Sequence, residues 1–171
     1  MGIQFETDYN METLTAMAKG LRKTVRKKRS RRVHIFAAVV LILGLLTILA
    51  TTAGGEPLGA SGVVTLLAML VVILVSLFED KLNAWFARKR LLPGTEHAAA
   101  TFEEDGYVSA TGVTESRFSY AQIVAVAETA RYFVFALSSH HTQAYDKRNI
   151  RGGSVEDFRA FIAEKTGKLV E

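Results

Sequence analysis

Two long apolar runs divide the chain into three parts. Residues 33–52 and 58–78 contain no Asp, Glu, Lys or Arg. A helix of 20 residues is about 30 Å long, which matches the thickness of the hydrocarbon core of a bilayer. The pattern therefore predicts two transmembrane helices, joined by a turn at the glycines and the proline of residues 54–59.

The segment before the first apolar run alternates and then changes to a helical period. Ile3 and Phe5 alternate with polar residues, which predicts one short strand. Asp8 or Asn10 can then cap a helix. Its apolar stripe consists of Met11, Leu14, Ala18, Leu21 and Val25. We expect this stripe to pack on the rest of the protein; the alternative is a helix that binds a partner or lipid.

The segment after the second apolar run, residues 79–92, keeps helical spacing. Trp85 and Phe86 suit the interface between membrane and water. The helix is expected to end before Pro93, because the residue that precedes a proline disfavours the α conformation.

From about His97 onward the apolar residues alternate, which predicts several short antiparallel strands. The first hairpin turns at Asp105-Gly106, and a second pair of strands joins near residues 128–130. A further strand is predicted near residues 141–148. The residues expected on the inner face of this sheet are Val124, Val126, Phe133 and Phe135.

One amphipathic helix is predicted at the C-terminal end. Ser154 and Asp157 have the spacing of a capping box. Phe158, Phe161 and Ile162 then share one face. A small sheet needs a helix over its open apolar face, so the predicted fold class is a membrane α-helical hairpin plus an α+β domain of antiparallel strands covered by this helix.

The predicted boundaries follow these changes of pattern. They are residues 1–32 for the strand and basic helix, 33–78 for the hairpin, 79–92 for the post-membrane helix, and 93–171 for the C-terminal domain.

Charge adds an orientation to this picture. Nine Lys or Arg precede the first run and four follow the second, whereas the turn carries only Glu56. The positive-inside rule then predicts a multi-pass protein of the plasma (inner) membrane with both termini in the cytoplasm. A cleaved signal peptide is the alternative, although its basic and apolar parts are normally shorter. Glu79 and Asp80 are expected to pair across the hairpin with Arg31 and Arg32.

The dense basic stretch is also a candidate for contact with anionic lipid headgroups, which attract nearby Lys and Arg. The residues are Arg22, Lys23, Arg26, Lys27, Lys28, Arg29, Arg31 and Arg32. Nucleic acid is not an expected partner, because residues 91–171 carry a net charge of −3.

Candidate chemistry is sparse. The chain has no cysteine, which excludes thiol catalysis and Cys-based metal sites. His140-His141 and the acidic run 103–105 are interpreted as loop residues, and no phosphate-binding or hydrolase motif is present. We therefore predict no catalytic residue, no cofactor and no metal.

The order of elements resembles the YcxB-like family of small bacterial membrane proteins. The matching stretches are residues 3–9, 102–106, 119–123, 128–133 and 158–161. The resemblance implies a C-terminal PH-like domain and no enzymatic activity. The family often has Pro-Lys-Arg after the late strand, where this chain has Asp146-Lys147-Arg148. Lys147, Arg148 and Arg151 form a second candidate anion patch.

These predictions favour a membrane-anchored, non-enzymatic PH-like interaction module, with a protein partner or a second copy of itself as ligand. The alternatives are an accessory subunit or regulator of a transport or secretion system, and a small membrane enzyme.

Overall fold

The computed structural model describes residues 2–55 and 57–168, so that Glu56 of the predicted turn and residues 169–171 of the predicted C-terminal domain lie outside it. The helices are α1 Met11–Lys23, α2 Lys27–Ala53, α3 Ala60–Leu77, α4 Glu79–Arg88 and α5 Val155–Thr166. The strands are β1 Ile3–Asp8, β2 His97–Phe102, β3 Tyr107–Thr111, β4 Glu115–Phe118, β5 Ala125–Glu128, β6 Tyr132–Ala136, β7 Thr142–Asp146 and β8 Ile150–Arg151.

The two apolar runs form α2 and α3, which are long and apolar enough to cross a membrane. Their mean hydropathies are 2.7 and 2.6, and their apolar windows are exposed on the protein surface. The two helices approach closely at Gly44, where an added Cβ would lie 2.8 Å from the sulfur of Met69. Helix α2 begins at Lys27, six residues before the predicted start of the apolar span, because the basic residues continue the same helix.

The strands form two antiparallel sheets. The larger sheet has the order β4-β3-β2-β1-β8, and the smaller has the order β5-β6-β7. Strand β1 pairs with β2 along its whole length, from Ile3 opposite Phe102 to Asp8 opposite His97. The segments before and after the α2–α3 hairpin therefore belong to one sheet.

Helix α5 covers the core between the two sheets, as predicted. Phe158 and Ile162 are buried, at 0% and 1% exposure, whereas Phe161 lies at the edge of the core and is only partly buried. The predicted capping box of Ser154 and Asp157 is present. Val124 was expected inside the sheet, which is wrong: it precedes β5 and its side chain is 50% exposed.

Helix α1 packs on the protein itself, which confirms the favoured interpretation of its stripe. It contacts α4 on one side and the outer face of the smaller sheet on the other. Its cap is Asn10, whose side chain accepts hydrogen bonds from the next turn. Strand β6 is consequently buried along its whole length, because the core covers one face and α1 covers the other.

The architecture is thus a pair of apolar helices, two antiparallel sheets and a C-terminal helix, in an α+β layout.

Candidate functional site

The candidate site lies where α1 meets α2. We call the eight basic residues from Arg22 to Arg32 the basic junction; they are Arg22, Lys23, Arg26, Lys27, Lys28, Arg29, Arg31 and Arg32. A short turn separates the two helices, because Thr24 leaves the helical conformation and the Arg26 N–H donates back to the carbonyl of Leu21. The turn spreads the cations around the end of α2.

Arg22 anchors the basic junction to α4. Its guanidinium donates two hydrogen bonds of 2.8 Å to the carboxylate of Asp80. The predicted pairing of Asp80 with Arg31 or Arg32 is therefore wrong. The reason is that α4 packs along α1 rather than along the start of α2, so that the carboxylate of Asp80 lies against α1.

Glu79 takes part in a small polar cluster at the same end of the hairpin. It accepts a hydrogen bond of 3.2 Å from the hydroxyl of Ser30, which is buried. The Nε2 atom of His34 lies 3.8 Å from the same carboxylate. Arg31 and Arg32, which were expected to pair with Glu79, are exposed, and neither forms an ion pair with Glu79 among the described residues.

The remaining cations of the basic junction are mostly exposed. Lys23, Lys28 and Arg29 face solvent. A shallow cavity of about 520 Å³ lies among Arg22, Lys23, Lys27, Ser30, Arg31 and His34. Because this cavity lies at the base of α2, its cations stand where an anionic headgroup would lie if α2 crosses a bilayer.

The cations of the second candidate patch are paired within the protein. Each of Lys147, Arg148 and Arg151 contacts a carboxylate. The partners, in that order, are Glu128, Asp146 and Glu6. An anion would have to compete with these carboxylates, and anion binding at this patch stays a prediction.

Two cations contact the carboxylate of Glu128. Arg159 of α5 donates hydrogen bonds of 2.8 and 2.7 Å to it, and Lys147 donates a third. These cations, Arg159 first, lower the pKa of Glu128 to about 2. Arg159 thereby ties α5 to the end of β5.

A cluster of buried tyrosines fills the open end of the core. The hydroxyls of Tyr107 and Tyr145 both donate to Oε1 of Gln143, at 2.7 and 2.8 Å. Burial raises the pKa of both phenols, so they remain neutral donors. Tyr120 similarly donates to the carbonyls of Glu103 and Gly106 and fixes the first hairpin.

Ion pairs hold the acidic hairpin tip, and hydrogen bonds to the hydroxyl of Ser138 hold the histidine pair. Glu103 pairs with Arg117 at 2.7 Å, and Glu104 pairs with Lys165 at 2.5 Å. Within residues 2–55 and 57–168, no group of three or more His, Asp or Glu has the arrangement of a metal site.

Sequence reasoning missed the link between the histidine pair and the basic junction. Arg26 donates to the carbonyl of Ser139 at 2.7 Å, and its Nη2 lies 3.2 Å from Nδ1 of His140. The partners are 113 and 114 residues apart, and no local pattern signals such a contact.

Comparison with known proteins gives a match to a family model over part of the chain. No curated protein and no solved structure matches the chain. Residues 102–162, which run from the end of β2 into α5, match the model of the YcxB-like protein family and confirm the resemblance suggested by the sequence.

Proposed function

We propose that the protein is a membrane-anchored, non-enzymatic PH-like interaction module that faces the cytoplasm from the plasma (inner) membrane. In this proposal α2 and α3 both cross the bilayer. The two sheets and α5 form the domain that docks another protein or a second copy of the chain.

The pairing of β1 with β2 carries this proposal. Strand β1 precedes α2 and β2 follows α3, yet the two pair over six residues. Paired strands lie on the same side of a membrane. A chain that crosses the bilayer through α2 must therefore cross back through α3. The 13 basic residues that flank the hairpin, with none in the turn, favour the cytoplasmic side.

The arrangement of strands supports a PH-like domain. Strands β1–β4 lie in one antiparallel sheet and β5–β7 in the other, and one helix follows them. The unusual feature is that the first strand comes from in front of the hairpin. A truncation that removes the chain up to the end of the hairpin would therefore also remove β1 from the sheet.

The tight coupling between domain and hairpin favours an interaction module over a freely moving domain. Helix α1 follows β1 after two residues and lies against both α4 and β6. The Arg22–Asp80 ion pair joins the two segments that enter and leave the membrane. Such a domain presents a fixed face to partners that lie at the membrane surface.

Site-specific photo-crosslinking in native membranes tests the proposal. One crosslinker replaces Val124, which is 50% exposed beside β5, and a second replaces Leu46, which is 56% exposed on α2. We expect a discrete adduct from Val124, either with another protein or at twice the mass of the chain. Adducts from Leu46 alone would contradict the proposal and favour an accessory subunit held through its membrane helices.

A further inference from the structure

We propose that a groove between α1, α4 and the β6–β7 loop binds the phosphate group of an anionic membrane lipid. We call it the α1–α4 groove. It includes Arg26 of the basic junction and has a volume of about 580 Å³. The inference rests on the proposed anchoring of α2 in a membrane.

The floor of the groove is apolar. Helix α1 contributes Leu14, Met17 and Leu21, and α4 contributes Phe86 and Ala87. Phe86 is 52% exposed although it adjoins this floor. An exposed apolar surface of this kind suits the glycerol and the first acyl carbons of a lipid, whose burial is favourable.

The rim of the groove is cationic and rich in donors. It carries Arg26, Arg90, Asn83, His140 and His141, and none of the residues that line the groove is acidic. Contacts with the β6–β7 loop hold Arg26 in place. Arg90 is exposed, and its side chain makes no ion pair within residues 2–55 and 57–168. Its guanidinium is thus available for the forked hydrogen bonds that phosphate accepts.

The carboxylates of α4 distinguish this groove from the cavity at the base of α2. That cavity includes Arg22, which Asp80 already neutralises, and it adjoins Ser30 and His34, which contact Glu79. The α1–α4 groove has cations without a competing carboxylate, and it is the better site for a single phosphate.

A lipid is favoured over a free anion or an acidic peptide because of where Arg26 lies. It is the residue that immediately precedes α2, and the apolar part of that helix begins at Val33. Seven residues of helix span about 10 Å, so the rim lies near headgroup level in a membrane that α2 crosses. The anchor also keeps lipid at a high local concentration.

The test uses the full-length chain in neutral detergent micelles and titration calorimetry. The probes are dioctanoyl phosphatidylglycerol, dioctanoyl phosphatidylcholine, inorganic phosphate and an acidic amphipathic peptide. The variant is Arg90→Gln, and the matched control is Arg88→Gln, which removes the same charge from an exposed position of α4 outside the groove. Arg90→Lys tests whether charge alone restores binding.

We expect the parent to bind the anionic lipid more tightly than the other three probes. Arg90→Gln should weaken that binding about fivefold, the effect of one cation near an anionic lipid, whereas Arg88→Gln should change it less than twofold. Equal losses in the two variants, or no loss in either, would overturn the proposal. Tighter binding of phosphate, neutral lipid or peptide would overturn the lipid assignment.

The affinity measured by calorimetry does not depend on the orientation of the chain in a membrane, because both ends of the chain are exposed to the same solution in a detergent micelle. Termini found outside the cytoplasm would contradict the proposed function and leave the affinity of the groove unchanged. A loss of the groove's affinity would, conversely, leave the membrane anchoring intact.

Discussion

At the scale of single residues, the core is organised around aromatic rings that face one another across the two sheets. The ring of Phe158 lies 4.6 Å from that of Phe5, 4.8 Å from Phe102 and 5.0 Å from Phe133. Phe161, three residues later, contacts only Tyr120 among the aromatic rings of the described residues, at 5.7 Å. The sequence placed both phenylalanines on the covering face of α5, but the periodicity alone could not show which one lies at its centre.

Phe158→Ala should therefore destabilise the sheet domain by about 3–5 kcal/mol, since a buried Phe loses its contacts and leaves a cavity. Phe161→Ala should cost less, because this ring lies at the edge of the core. The measurement is limited proteolysis in membranes, with Glu164→Ala on the exposed face as the control. Equal resistance of the Phe158 variant and the parent would show that α5 does not cover the core.

Glu128 gives the domain an acid-sensitive contribution to stability. Its pKa is lowered to about 2 by Arg159 and Lys147, from an ordinary value of 4.5. Because the pKa of Glu128 is lower in the folded than in the unfolded state, its ionised carboxylate stabilises the fold at pH values above the unfolded pKa. This stabilisation is lost as the pH falls from about 4.5 toward 2.

Glu128→Gln should accordingly lower the thermal midpoint at pH 6, and its difference from the parent should shrink between pH 4.5 and 2. Glu164→Gln is the control, because this carboxylate is exposed and has no ion-pair partner in the described chain. A difference that stayed constant down to pH 2 would contradict the assigned ion pairs.

At the scale of elements, β1 shows what the sequence could and could not predict. Alternation at Ile3 and Phe5 indicated a strand, but its place between β2 and β8 depends on residues about 100 and 150 positions away. The predicted hairpins and α5 were recognisable because turns and helical periods are local. Strand β8 has two residues, too few to produce a pattern.

Phe5→Ala should destabilise the domain by about 3–5 kcal/mol, because this ring is 1% exposed at the centre of the core. Gln4→Ala, at the neighbouring exposed position of the same strand, should stay within about 0.5 kcal/mol of the parent. Thermal unfolding of the full-length chain in detergent checks both. A thermal midpoint of Phe5→Ala equal to that of the parent would mean that β1 is not part of the folded sheet.

The contact between α1 and β6 depends on a glycine. An added Cβ at Gly20 would lie 2.7 Å from Cγ1 of Val134, which is too close for two carbon atoms. Gly→Ala inside a helix normally stabilises by about 1 kcal/mol, but Gly20→Ala should lower the thermal midpoint because it forces α1 away from the sheet. Lys19→Ala, on the exposed side of α1, is the control. A raised midpoint for Gly20→Ala would show that α1 does not pack against β6.

At the scale of the whole molecule, one sheet is assembled from segments that lie on either side of a hydrophobic hairpin. The apolar runs and the asymmetry of charge were visible in the sequence, because both are properties of composition. The Arg22–Asp80 pair and the Arg26–Ser139 contact could not be seen in the sequence. The first joins residues 58 positions apart and the second joins residues 113 positions apart. We propose, above all, that both ends of this hairpin face the cytoplasm.

Labelling of single cysteines tests that claim most directly, because the chain has no cysteine of its own. The variants are Gln4→Cys, Glu164→Cys and Gly59→Cys; a side chain at Gly59 would meet nothing within 4 Å. In intact cells a membrane-impermeant maleimide should label Gly59→Cys alone, and all three should react after the membrane is permeabilised. Labelling of Gln4→Cys or Glu164→Cys in intact cells would contradict the account.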